Sequence, residues 1–181
     1  IQLSVNSVKL LNKIGFASLT DEEKFNPKKI DFYEIKNSKK ICDLDITEFN
    51  SDDYKYTTLK RSKLLQFLID GLDKSTIKFN CNLDKIEYSN DSINFTINKK
   101  KITCDHLIIS DGVFSKGKSL ISNNYSEPIY NNTIAVRASI SKESLDNINE
   151  ENISLFLGSE FHYVVYPLKN DKNYNFIGIL K

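Results

Sequence analysis

The sequence predicts a mixed α/β fold, α+β in character, with helix-linked strands forming one layer beside a second, largely antiparallel sheet. Three observations predict it. Residues 60–72 repeat leucine and isoleucine at helical spacing. Residues 83–104 hold three short segments with strand-like alternation, the pattern of a meander. After Pro128 the character changes, and further alternating segments run to the last residue.

Each element follows from local pattern. Ser4 to Ile14 reads as a short helix, with Ser4 as cap, Val5, Val8, Leu11 and Ile14 on one face, and Gly15 as its end. Residues 17–28 are polar, a turn or short helix ending near Pro27. Ile30 to Ile35 is a strand, Asn37-Ser38 a turn, and Ile41, Leu44 and Ile46 a returning strand, together a hairpin. The helix at 60–72 presents Leu64, Leu65, Leu68, Ile69 and Leu72. Strands are expected at Ile77–Phe79, Leu83–Tyr88, Ile93–Ile97 and Lys101–Cys104. Leu107-Ile108-Ile109 is a continuous apolar run, consistent with a strand buried on both faces. It ends in Ser110-Asp111-Gly112, and Ser115 to Ile121 reads as a short helix. Thr133–Ile140, Ser154–Leu157, His162–Tyr166 and Tyr174–Leu180 complete the strands.

Composition excludes several classes. The 181 residues suffice for one domain or parts of two, and 40% hydrophobic content allows a core. The 25 basic residues against 24 acidic leave a net charge of +1, no footprint for nucleic acid or an anionic membrane surface. No apolar run approaches the roughly 20 residues that span a bilayer. No secretory pattern opens the chain. Cys42, Cys81 and Cys104 lie far apart, which argues for reduced thiols in a cytoplasmic protein and against a disulfide framework or a metal site. The acceptor-like Asn94, Asn131 and Asn152 are then chance matches in an Asn-rich chain. Methionine is absent, so Ile1 is not expected to be a natural start, and the chain reads as an internal piece of something longer.

Candidate chemistry concentrates in Cys104 to Lys118, CDHLIISDGVFSKGK. In open α/β sheets, ligands gather at the carboxyl ends of strands. Gly112 would let a ligand approach the backbone, and Asp111 could accept a hydrogen bond from a ribose or simply orient the loop. An Asp-Gly pair after a strand is, by itself, more often just a turn. The six glycines build neither a GxGxxG nor a Walker-type loop. His106 and His162 suggest no catalytic base, and no catalytic residue is assigned. Asp21-Glu22, Asp52-Asp53 and Glu150-Glu151 read as solvated loop charges. Tyr163 and Tyr166 could line an aromatic pocket, with cross-strand packing the default.

These residues resemble the FAD-dependent aromatic-ring hydroxylases, the salicylate hydroxylase and p-hydroxybenzoate hydroxylase group. That group carries Cys or Ala, Asp, an apolar run, Asp-Gly, two variable residues, Ser and then basic residues, which CDHLIISDGVFSK matches. Four further stretches fall in the group's order: IQLSVNSVKLLNKIGF, YTTLKRSKLLQFLIDGL, NCNLDKIEYSNDSINFTI and FLGSEFHYVVYPL. The resemblance spans nearly the whole chain. Where the group has an arginine shortly after the serine, this chain has Lys116-Gly117-Lys118.

The resemblance implies a partial FAD-binding domain, with a parallel sheet and a β-meander, at 1–28 and 59–126. It implies a partial substrate-binding domain with an antiparallel sheet at 29–58 and 127–181. Arg61, Leu83, Asp111, Gly112 and Ser115 would contact or frame the cofactor, with Leu83 near the adenine and Asp111-Gly112 near the pyrophosphate and the nicotinamide nucleotide. Arg137, His162 and Pro167 would lie toward the substrate. The implied activity is hydroxylation of a small aromatic substrate with FAD, NAD(P)H and oxygen. The group's glycine-rich βαβ unit and second Gly-Asp motif lie outside this sequence, so the chain alone should be inactive. Rival readings are a ubiquinone-pathway hydroxylase or isoprenoid reductase of the same superfamily, a non-enzymatic α+β binding module, and a decayed gene remnant.

Overall fold

The computed structural model describes residues 1–89, 91–122, 124–145, 148–169 and 173–181. In chain order the elements are β1 (Gln2–Leu3), α1 (Val5–Asn12), β2 (Lys24–Phe25), β3 (Lys29–Glu34), β4 (Lys40–Asp45) and β5 (Thr57–Leu59). Then come α2 (Arg61–Asp70), β6 (Leu83–Ser89), β7 (Ser92–Ile97), β8 (Lys100–Cys104) and α3 (Lys116–Ile121). β9 (Ile134–Ser141), β10 (Ile153–Leu157), β11 (Phe161–Pro167) and β12 (Asn173–Leu180) close the chain. Two compact units result, residues 1–72 with 132–181 and residues 73–131.

The larger unit is built on a six-stranded sheet ordered β4-β3-β10-β11-β12-β9. Its ladders are antiparallel except β3 with β10, which run parallel. Alternation gives each face its own packing. On one face Ile153 and Tyr166 pack with Ile46 as a core, and Ile30, Tyr56, Val164 and Ile177 close around it. On the other face, register brings Tyr33, Phe156 and Tyr163 side by side. Their rings stack at centroid distances of 4.9 and 4.5 Å, and Phe176 extends the row at 5.3 Å from Tyr163. Cross-strand packing is therefore what Tyr163 does, and Tyr166 is a core residue at 1% exposure. Asp31, also 1% exposed, is held by Asn152 Nδ2 at 2.7 Å and Lys40 Nζ at 2.8 Å, which offsets the cost of burying its charge.

A three-stranded sheet, β1-β5-β2, belongs to the same unit. Val8, Phe16 and Leu59 form its core with Leu11, Leu64 and Phe67 packed against them. The α2 stripe is only half used: Leu64 and Phe67 pack inward, while Leu65, Ile69 and Leu72 stay exposed. Ser4 occupies the N-cap of α1, but its hydroxyl pairs with Ser7 Oγ at 3.3 Å and caps no helix amide, contrary to expectation. The helix ends at Asn12, so Ile14 falls beyond the amphipathic face and is exposed.

The smaller unit is the expected meander, β6-β7-β8, antiparallel throughout. Asn98 and Lys99, with φ of 48° and 67°, close the β7–β8 hairpin, the backbone that a tight two-residue turn requires. The helix expected at 115–121 is α3.

Two expected strands are absent as strands. Residues 77–79 follow a 3-10 turn at Lys74–Thr76 capped by Asp73, have no ladder partner among the described residues, and leave Phe79 exposed. Leu107–Ile109 has no ladder partner among the described residues, and Ile108 is 89% exposed, not buried on both faces. A strand exists only by pairing, and no described strand lies beside this segment. Correspondingly, the parallel ladder expected in the FAD-binding part is not among the described pairings, and parallel pairing occurs only in the six-stranded sheet.

Candidate functional site

In the smaller unit, the segment after β8 folds around one carboxylate. Asp111 accepts a short hydrogen bond from Ser115 Oγ and another from the Gly117 amide at 2.9 Å. Ser115 Oγ in turn accepts from the Lys118 amide at 2.9 Å, making Ser115 the N-cap of α3. The Ser115 hydroxyl first, and the Gly117 amide next, hold the Asp111 carboxyl below the usual carboxylate range. The Asp111 carboxylate thus braces the turn and the helix start.

The consequence is a fixed backbone at Gly112, whose φ of 84° suits glycine and strains other residues. No heavy atom lies within 4 Å of where a Cβ would sit, so the turn is open on that side. Gly117 answers a different demand. A Cβ there would lie 2.6 Å from Ile109 Cγ2, so its absence lets α3 sit directly on the 107–109 segment.

Beside this turn lies an open, mainly apolar hollow of about 500 Å³. Leu83, Phe95 and Ile97 of the meander form one wall, and Leu107 to Asp111 with Lys116 form the other. Leu83 and Asp111 thus meet in one hollow, with Gly112 and Ser115 in the adjoining turn. Phe95 and Ile97 were not singled out from sequence, although the alternation along 93–97 placed them on one face, and Lys116 stood out only as part of Lys116-Gly117-Lys118. Lys118, near the position where the hydroxylases carry arginine, lies over the Tyr125 ring at 5.8 Å.

The remaining candidates belong to the larger unit. Arg61 is the exposed first residue of α2, at the positive end of that helix. Arg137 is exposed on β9, opposite Ile177. His162 is exposed on β11, opposite Ile179, on the same sheet face as Arg137. Tyr166 shares that face; burial pushes its phenol up to about 12, and the Arg137 charge pulls it partly back. Pro167 is buried, and its carbonyl accepts from Thr58 Oγ1 at 2.8 Å, so its evident role is to tie β11 to β5. Surface pairs such as Lys28–Glu151 at 2.8 Å and Lys142–Glu150 at 3.0 Å agree with the reading of the acidic loops as solvated charge.

No protein-family model matches this sequence, and no curated protein matches it. Solved structures do match its fold. A salicylate hydroxylase substrate complex superposes with a TM-score of 0.81 at 13% identity, covering 100% of this chain and 48% of that one. CtdE in complex with FAD and a substrate matches with a TM-score of 0.81 at 17% identity over 99% of this chain and 47% of the other. Klebsiella pneumoniae HpxO complexed with FAD and uric acid matches with a TM-score of 0.80 at 13% identity over 99% and 46%. The chain therefore has the mixed α/β fold of part of an FAD-dependent hydroxylase, and it spans about half the length of the solved chains it matches. Among the described residues no helix is long and apolar enough to cross a membrane.

Proposed function

We propose that this chain is part of a flavoprotein monooxygenase that hydroxylates an aromatic or similar small substrate using FAD, NAD(P)H and oxygen. One observation carries the reading: the Asp111-Gly112 turn, set by Ser115 and Gly117, opens its Gly112 backbone beside an apolar hollow that contains Leu83. Solved proteins of this fold that carry FAD support it.

The residues fit such a cofactor. Gly112 presents a backbone that a pyrophosphate can approach, and Leu83 with Phe95 and Ile97 offers apolar surface to an adenine. Arg61, at the start of α2, supplies a cation that can meet a phosphate at a helix N-terminus. Bound FAD would supply the redox and oxygen chemistry, leaving the protein to bind, orient and exclude water. Arg137 and His162, on one sheet face, would meet the substrate. In this reading 1–28 and 59–126 serve the cofactor, and 29–58 with 127–181 serve the substrate. Asp111 acts as a positioning residue. The reading also accounts for Ile108, Val113 and Phe114, apolar side chains 73–89% exposed beside the turn. They would face the bound cofactor or protein packed around it.

The test is the full-length product of the gene, purified without added cofactor. It should carry a visible flavin spectrum and oxidise NAD(P)H in the presence of small phenols or aromatic acids. A colourless product that takes up no added FAD overturns the reading. The 181-residue chain alone should retain no FAD through gel filtration; tight stoichiometric retention would show that the missing unit is not needed.

A further inference from the structure

The six-stranded sheet ends in two edges of opposite character. β4 carries Lys40, Asp43 and Asp45, and Asp43 is bridged by Lys29 at 3.1 Å and Lys40 at 2.8 Å. Charge on an edge strand blocks the addition of another strand. β9, IAVRASIS, holds one charge, Arg137, and its residues Ile134 through Ser139 are exposed on both faces. It pairs with β12 on one side, and no described strand pairs with it on the other. A long apolar edge of this kind is a template for pairing.

We propose that β9 pairs antiparallel with β9 of a second copy of this chain, across a twofold axis at Ala138, joining two sheets into one. Symmetry restricts the register. Directly opposed residues of an antiparallel ladder share a face, so the axis, perpendicular to the sheet, passes through a residue that opposes itself. Centring on Arg137 would set two guanidiniums against each other, which is repulsive. Centring on Val136 or Ser139 discards much of the strand. Centring on Ala138 keeps Ala135 through Ser141 in the ladder and pairs Val136 with Ile140, Arg137 with Ser139, and Ala135 with Ser141. Apolar meets apolar, each cation meets a serine, and two small uncharged side chains meet at the axis. This self-match selects a second copy as the occupant.

Sedimentation equilibrium of the full-length product of the gene should give a concentration-dependent shift from one to two chain masses. Ala138 is exposed, so Ala138→Lys and Ala138→Glu can be made with the fold checked by circular dichroism. Each variant alone should lose the dimer, because like charges oppose at the axis. An equimolar mixture of the two should regain it. In the unaltered chain, amide exchange at 135–141 should slow as concentration rises, a readout that needs no variant. A chain that stays monomeric up to its solubility limit overturns the proposal, as does a lysine variant that still dimerises or a mixture that does not reassociate. None of these measurements depends on flavin.

Discussion

The six-stranded sheet and the meander treat their apolar strands differently. In the sheet, β10 is flanked by β3 and β11, and its Ile153, Ser154 and Phe156 are buried. In the smaller unit the apolar segment Leu107–Ile109 has no ladder among the described residues, and Ile108 is 89% exposed. Both are short, largely apolar runs in the sequence. The difference is whether a described strand pairs with the run. A run of apolar residues therefore states that a segment is meant for burial without stating what buries it.

The comparison can be broken by mutation, beginning with the larger unit. Phe156→Ala removes the middle ring of the aromatic row and should destabilise that unit by about 3–5 kcal/mol. Residue-resolved hydrogen exchange would show protection lost across β10, β11 and β12 while the β7 amides keep theirs. Equal loss in the meander would show that the two units unfold as one. In the smaller unit, Gly117→Val forces side-chain atoms into Ile109 and should cost about 1–3 kcal/mol, read as a lower unfolding midpoint with exchange accelerated at 107–121. Ser115→Ala removes the cap of α3 and the hydroxyl that donates to Asp111, and should cost about 1 kcal/mol by the same measurement, with Ser115→Thr restoring most of it.

The smallest effect is on pH. The Asp111 carboxyl is held below its ordinary value of 3.8 in the fold, so its contribution is complete above that value and is lost as pH falls through the lower folded value. Protection factors at the α3 amides, corrected for intrinsic exchange, should fall in that acid range and not before. Asp111→Asn should make those protection factors nearly independent of pH.

Much of the fold was legible because periodicity is local. The 60–72 helix, the 30–45 hairpin, the meander and the last four strands follow from spacing and turn residues, and each lies within a few residues of its expected place. Pairing is not local. Nothing in Ile153–Leu157 announces that it lies parallel to Lys29–Glu34, or that Asp31 is buried there against Asn152 and Lys40. Residues 77–79 and 107–109 had strand composition but no ladder partner among the described residues. Ser4 failed as a cap because its hydroxyl found Ser7 first. At the candidate site, Asp111, Gly112 and Ser115 stood out in sequence, but the bonds that make Asp111 a brace were beyond spacing alone. Phe95 and Ile97 stayed hidden because a hollow is made by two segments at once.

The account rests on the Asp111-Gly112 bend lying against a dinucleotide, which amide exchange on the full-length polypeptide reads directly. Adding FAD should slow exchange at residues 110–114 and at Leu83, while the aromatic row of the larger sheet keeps its rates. Unchanged exchange at 110–114 under saturating FAD would contradict it.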